Sequence, residues 1–283
     1  MKYLVDTVTS PAYWRYVLFS RVGAQTVLAI FGGFWLLIES LDFFGVYTRD
    51  QYGSYGFIVV MAAAVAVAIL FRRPIRSIVV SFPRNDFCVE VRIGNIFDAA
   101  GAIMVSTNTI FESDVAGGKI SPDSLQGQFT ARYYTGDQNT LIETIKTQLN
   151  GLDGPPYPMG TTIPVSTHGK TFYFVVMAEL NEQGTASTTP RSVEKATDGL
   201  WRYVREYGEL QELVVPVIGT ARGRLEIPRK KMIGKIAESF VNASLDRKFT
   251  DRLVIIVHPE DAKRFQINLY DIKDNLNHIL IGR

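Results

Sequence analysis

Cysteine, histidine and surplus charge are all scarce in this chain of 283 residues. There is one cysteine, Cys88, so no internal disulfide can staple the fold, and a lone cysteine suits a reducing compartment and a small buried hydrophobe. The histidines, His168, His258 and His278, have no metal-ligand spacing and Cys88 has no partner, so neither a metal, a cofactor nor thiol chemistry is expected. Lysine and arginine number 30 against 28 acidic residues, a net charge of +2 with 20% charged residues, which gives nucleic acid no broad basic surface. Repeats and low-complexity tracts are missing, and only Asn181 to Pro190 has extended loop composition. No short basic start runs straight into an apolar stretch, so a cleaved signal peptide is not expected.

What the chain does have is two uncharged apolar runs, Val22 to Ile38 and Tyr55 to Phe71. Each is about 17 residues and covers roughly 26 Å of a hydrocarbon core about 30 Å thick. Tyr16, Phe19, Leu41, Phe43 and Tyr52 extend the apolar length with rings at headgroup depth, and Arg21 can snorkel outward. The run from Ala62 to Phe71 has no polar face, unlike a buried helix of a globular core. Lys2, Arg15 and Arg21 precede the first run and Arg72, Arg73, Arg76 and Arg84 follow the second, whereas the connection carries Glu39, Asp42, Arg49 and Asp50. The expectation is a retained membrane hairpin over residues 1–74 with both termini cytoplasmic. Gly32, Gly33 and the Ala62 to Ala68 face either permit close helix packing or simply fill a short anchor.

Residues 75–86, with Pro74 and Pro83 close by, read as a juxtamembrane linker or as a first strand, Ile75 to Phe82. Beyond them, β-branched or aromatic runs at Phe87 to Ile93, Gly101 to Ser106, Thr161 to Ser166, Thr171 to Ala178, Leu213 to Ile218 and Arg252 to His258 read as strands. Helical spacing appears at Gln138 to Asn150, Ser192 to Tyr207 and Pro228 to Leu245, with Pro190 and Pro228 suiting first turns. Strands alternating with helices predict an α/β domain over residues 87–283, a mixed sheet covered on both faces. His168-Gly169 supplies its one tight hairpin.

Ligands of such sheets bind beyond the carboxyl ends of strands. Three loops there carry the relevant chemistry: Gly94-Asn95-Ile96-Phe97-Asp98, Ser106-Thr107-Asn108-Thr109, and Gly219-Thr220-Ala221-Arg222-Gly223-Arg224-Leu225. The last, between an apolar strand and a helix, either presents backbone N–H groups, Arg222 and Arg224 to a diphosphate or merely turns the chain. It lacks the lysine and serine of a Walker A loop. Asn108 is either a ligand contact or a turn residue ending a strand, and Ser124 and Gly127 either face a diphosphate or cap the next helix.

In this order the loops resemble those of a macro domain, the ADP-ribose-binding fold, through Val91-Arg92-Ile93-Gly94-Asn95-Ile96, Ala102-Ile103-Met104-Val105-Ser106-Thr107-Asn108 and Val217-Ile218-Gly219-Thr220-Ala221-Arg222-Gly223. The resemblance covers roughly Phe87 to the C-terminus. It implies a ligand site at Asn95, Ile96, Asn108, Ser124, Gly127, Gly219, Thr220, Ala221, Arg222, Gly223 and Arg224. The family's adenine-binding aspartate is here Asn95, which accepts through an uncharged amide oxygen.

A macro domain behind a two-span hairpin is similar to the effectors of type II Thoeris antiphage defence. That similarity implies an inner-membrane protein sensing an ADP-ribose derivative, histidine-ADP-ribose in the type II case, made by a TIR-domain partner that consumes NAD. Clustering of the hairpins into a homo-oligomer and disruption of the membrane lipid are then the expected outcome, ending in abortive infection. The other readings are a membrane-tethered ADP-ribosyl hydrolase, with Asp98, Glu112, Asp114 and Asp123 as candidate carboxylates, or a docking module for ADP-ribosylated proteins. Phe129, Tyr133 and Tyr134 either stack on a ligand ring or belong to the core.

Overall fold

The computed structural model describes residues 11–46, 53–73, 75–82, 84–180, 186–208, 211–218 and 227–280. The chain divides into two compact units, Met1–Ile75 and Arg76–Arg283.

Among its described residues the first unit has three helices, α1 (Pro11–Phe19), α2 (Arg21–Phe43) and α3 (Gly53–Phe71). A separate α1 was not anticipated, since Tyr16 and Phe19 read as flanks of one span. Ser20 makes the break: its hydroxyl caps α2 by accepting from the Gly23 amide at 2.9 Å. Glycine is required at 23, because a Cβ there would sit 2.4 Å from the Val17 carbonyl oxygen.

One helix among the described residues, α2, is long and apolar enough to cross a membrane, with 23 residues and a mean hydropathy of 1.6. The apolar part of α3, Tyr55–Phe71, is shorter. The two pack together, with Phe31 edge-on to Phe57 at 5.5 Å. Ala64 and Ala68, one turn apart on α3, are fully buried, whereas Gly32 and Gly33 meet nothing within 4 Å. The alanine face therefore packs within the chain and the glycine pair stays open. Arg72 folds back on its own unit: its guanidinium lies 5.4 Å from the Tyr16 ring and 3.4 Å from Thr26 Oγ1, and the Tyr13 hydroxyl donates to its carbonyl.

The second unit is built on an eight-stranded sheet. Its strands are β1 (Ser77–Phe82), β2 (Phe87–Ile93), β3 (Ala102–Asn108), β4 (Thr162–Thr167), β5 (Lys170–Leu180), β6 (Ala186–Ser187), β7 (Glu212–Pro216) and β8 (Arg252–Val257). The order is β1-β2-β8-β7-β3-β5-β4, with β6 paired to β5. From β2 to β5 every pairing is parallel, while β1 and β4 close the two edges antiparallel. The mixed sheet read from the sequence is thus present, and of the two readings for Ile75 to Phe82 the strand is the one formed. The β4–β5 hairpin turns at His168 and Gly169, both at positive φ, 50° and 70°.

Helices α4 (Leu125–Tyr133) and α5 (Gln138–Leu149) cover one face of the sheet. Phe129, Leu141, Phe172 and Phe174 are completely buried there. Helices α6 (Pro190–Tyr207), α7 (Arg229–Asp246) and α9 (Leu269–Leu280) pack against the other. Trp201, Phe240 and Phe249 meet edge-on or tilted in that layer. The short α8 (Pro259–Arg264) follows β8, with His258 capping it through Nδ1. Burying both faces is what parallel strands with helical crossovers require.

Candidate functional site

Strands β2, β3, β7 and β8 run in one direction, so the segments leaving their C-terminal ends share one edge of the sheet. Two of the three loops singled out from the sequence are described there. The third, Gly219, Thr220, Ala221, Arg222, Gly223 and Arg224, lies outside the described residues. Its root is described: Val217 donates to Ile256 O at 3.2 Å and Ile218 is buried.

After β2, Gly94 donates to Val257 O at 3.0 Å, and the chain makes a single 3-10 turn, Ile96–Asp98. Asn95 is exposed and caps that turn, its Oδ1 accepting from Phe97 N at 3.1 Å. The Ile96 side chain is buried in the core beneath. Lys170 fastens the segment from the far strand, its Nζ donating to the carbonyls of Phe97 and Ala99 at 2.6 and 2.8 Å.

After β3 the register shifts between Thr107 and Asn108, turning the strand end into a loop. Asn108 is buried, and its Oδ1 accepts from Ile110 N at 3.2 Å and Glu112 N at 3.0 Å. With the oxygen taken, the NH2 group is what Asn108 can offer a ligand. Glu112 continues the pattern: one carboxylate oxygen accepts from Ser113 N and Asp114 N, both at 3.1 Å, and the other pairs with Lys119 at 3.1 Å. That bond raises the Lys119 pKa above its ordinary value. Gln126 and Gln138 each donate at 2.6 Å, to the carbonyls of Glu112 and Ser113. Neither glutamine was singled out from the sequence; the only signal was a polar residue on a helix face that had to be buried, as Gln126 is.

Ser124 caps α4, its Oγ accepting from Gly127 N at 3.0 Å. A Cβ at Gly127 would lie 2.2 Å from Ser121 O, so glycine lets the helix start against the preceding loop. Phe129 and Tyr134 are core residues, and Tyr133 packs on Phe129 and Phe172; these rings serve the interior. Of the candidate carboxylates, Asp98 pairs with Arg132 at 3.6 Å, Glu112 is bonded as above, and Asp114 accepts from Gly117 N at 2.6 Å.

Two further features were not foreseen. At the start of α7 the Arg229 guanidinium stacks 3.5 Å over the ring of Phe265, which follows α8, and burial lowers its pKa. A polar cleft of about 360 Å³ lies between residues 158–162 and α6, lined in part by Lys195, Asp198, Arg202, Tyr203 and Glu206. Neither Asn95 nor Asn108 lines it. Among the described residues no group of three or more His, Cys, Asp or Glu side chains is placed to hold a metal.

The arrangement is that of an α/β domain with a candidate ligand site beyond the carboxyl ends of its parallel strands. Residues 89–258, more than half of the chain, match the family model described as Thoeris protein ThsA, Macro domain. The chain belongs to that family.

No curated protein matches the chain. Solved structures that do include two of the Oceanobacillus iheyensis macrodomain. The one with MES bound has 17% identity and a TM-score of 0.47, and the one with ADP has 16% and 0.47; each comparison covers 73% of this chain and 97% of that one. A Trypanosoma brucei macrodomain is 12% identical with a TM-score of 0.42, covering 66% of this chain and 65% of its own.

Proposed function

We propose that this protein is a membrane-anchored sensor of an ADP-ribose derivative in Thoeris antiphage defence, with its ligand held at the carboxyl edge of the sheet. The observation that carries the reading is the family match over residues 89–258, which spans all three loops. Several local features support it. Asn95, two residues beyond β2, and Asn108, the last residue of β3, lie on the edge from which the chain leaves β7 toward Gly219 to Arg224. The Asn108 amide oxygen is locked, so its NH2 is held in one direction, as a donor to a ribose hydroxyl or phosphate oxygen needs. In the sequence the third loop joins glycines to Arg222 and Arg224 ahead of α7, which suits a diphosphate.

The role is sensing, not hydrolysis. Asp98, Glu112 and Asp114 are engaged in ion pairs or loop hydrogen bonds, which leaves them poor general bases. The output is assigned to α2 and α3, which span the inner membrane as a hairpin with both termini in the cytoplasm. Ligand binding clusters these hairpins because the assembled state binds it more tightly. The ligand class includes histidine-ADP-ribose, supplied by a TIR-domain enzyme that consumes NAD.

Thermal unfolding of the full chain with ADP-ribose and histidine-ADP-ribose tests the site. At about a hundredfold excess over Kd, a ligand of the native state adds about 2.7 kcal/mol, a rise of roughly 5–10 °C in a domain of this size. Asn108→Ala and Gly219→Val should each abolish the rise. Conversion of either compound to products would replace the sensor by a hydrolase, and an unchanged rise in both variants would remove the site.

A further inference from the structure

The two edges of the sheet are not alike. β4, at one edge, carries Pro164, a residue that cannot continue a hydrogen-bonded ladder. β1, at the other, reads Ser-Ile-Val-Val-Ser-Phe, with no charge, no proline and an unbroken register against β2. Among the described residues no strand pairs with its outer side, and natural sheets rarely leave such an edge bare, because unpaired N–H and C=O groups invite another strand.

The register shows which groups point outward. Arg76 O accepts from Ile93 N, so alternate residues from Arg76 onward bond toward β2, and Ser77, Val79 and Ser81 direct their backbone away from it. The side chains of these residues are also exposed, Val79 at 42%. α9 packs against β1, whose buried Ile78 and Val80 belong to the alternate set. The outward row, Ser-Val-Ser, reads the same in both directions about Val79.

We propose that β1 is a homotypic docking edge, which joins two copies of this chain through an antiparallel β1–β1 pair centred on Val79. A two-fold axis there sets Val79 opposite its own copy and Ser77 opposite Ser81 of the other copy, in both directions. Each of these pairs exchanges two backbone bonds, about six in all, and the sheet continues from one copy into the next. In this pairing Ser meets Ser and Val meets Val, with no charge set against its like and no bulky side chain opposed, which suits a second copy of the same strand. A strand pair is a weak dimer in solution, and confinement to one bilayer raises its effective concentration; that point rests on the membrane reading. The pairing itself is independent of any ligand.

The test uses full-length protein in lipid vesicles, with flotation scored separately so that a failure of the membrane reading is recognised as such. In a Cys88→Ser background, Val79→Cys should form a covalent dimer on mild oxidation, since the facing Cα atoms of such a pair lie about 5.5 Å apart, within disulfide range. Leu152→Cys, on the exposed loop after α5, is the control for random collision. Added to Val79→Cys, the pair Ser77→Lys and Ser81→Lys sets like charges opposite each other and should lower the yield about tenfold. Ser77→Lys with Ser81→Glu sets opposite charges in the same places and should restore it, which a folding defect would not do. The proposal is overturned if Val79→Cys cross-links no better than Leu152→Cys, or if the two charge patterns behave alike.

Discussion

The two compact units treat apolar residues in opposite ways. In the sheet domain Ile103, Phe172 and Leu213 are wholly or almost wholly hidden by their own chain. In the helical unit Leu28, Leu36, Val59 and Leu70 are each more than 60% exposed, and none of the most apolar window of α2 is buried. Soluble surfaces do not carry contiguous apolar area on that scale. Among the described residues nothing covers these side chains, and α2 is by length and composition apolar enough to cross a membrane.

Matched substitutions break or sharpen the contrast. The largest effect is expected from Phe172→Ala, which leaves a cavity in a filled core and should cost about 3–5 kcal/mol, lowering Tm by roughly 6–20 °C. Leu36→Ala removes apolar area of a similar kind and should leave the unfolding of the sheet domain where it was. Equal shifts would mean the two units share one cooperative core.

Next comes Leu36→Asp, which sets a charge inside α2. Insertion should lose about 3 kcal/mol and flotation with vesicles should fall, while the unfolding transition of the domain stays in place. Retained flotation would place the anchor elsewhere.

The smallest effect belongs to the sheet domain. Thr107 is buried and its hydroxyl has no partner among the described residues. Thr107→Val keeps the branched shape and removes the unsatisfied group, so stability should rise by about 1 kcal/mol in denaturant unfolding. A loss of stability would show that the hydroxyl does find a partner in the native chain.

How far the sequence could be read follows from the range of the interactions involved. The strands β2, β5 and β8 and the helices α5, α6 and α7 were legible because β-branched runs and helical spacing are local patterns. β1 stayed ambiguous because Pro74, Pro83 and the arginines around it read equally well as a linker. α1 was missed because what separates it from α2 is a cap at Ser20 and a close approach at Gly23, neither of which alters an apolar tally. Asn95 and Asn108 were recognisable as strand-end residues. Their bonds back to Phe97, Ile110 and Glu112 were not, nor was the reach of Gln138 to Ser113 from another helix. Spacing along the chain does not encode a side chain that crosses a loop.

Arg72 follows the last turn of α3, and it is held by groups from two other helices of its unit, Tyr13 and Tyr16 of α1 and Thr26 of α2. Mechanically this is a clasp on the end of α3. A load applied at that end is shared among three helices instead of unwinding the last turn of one.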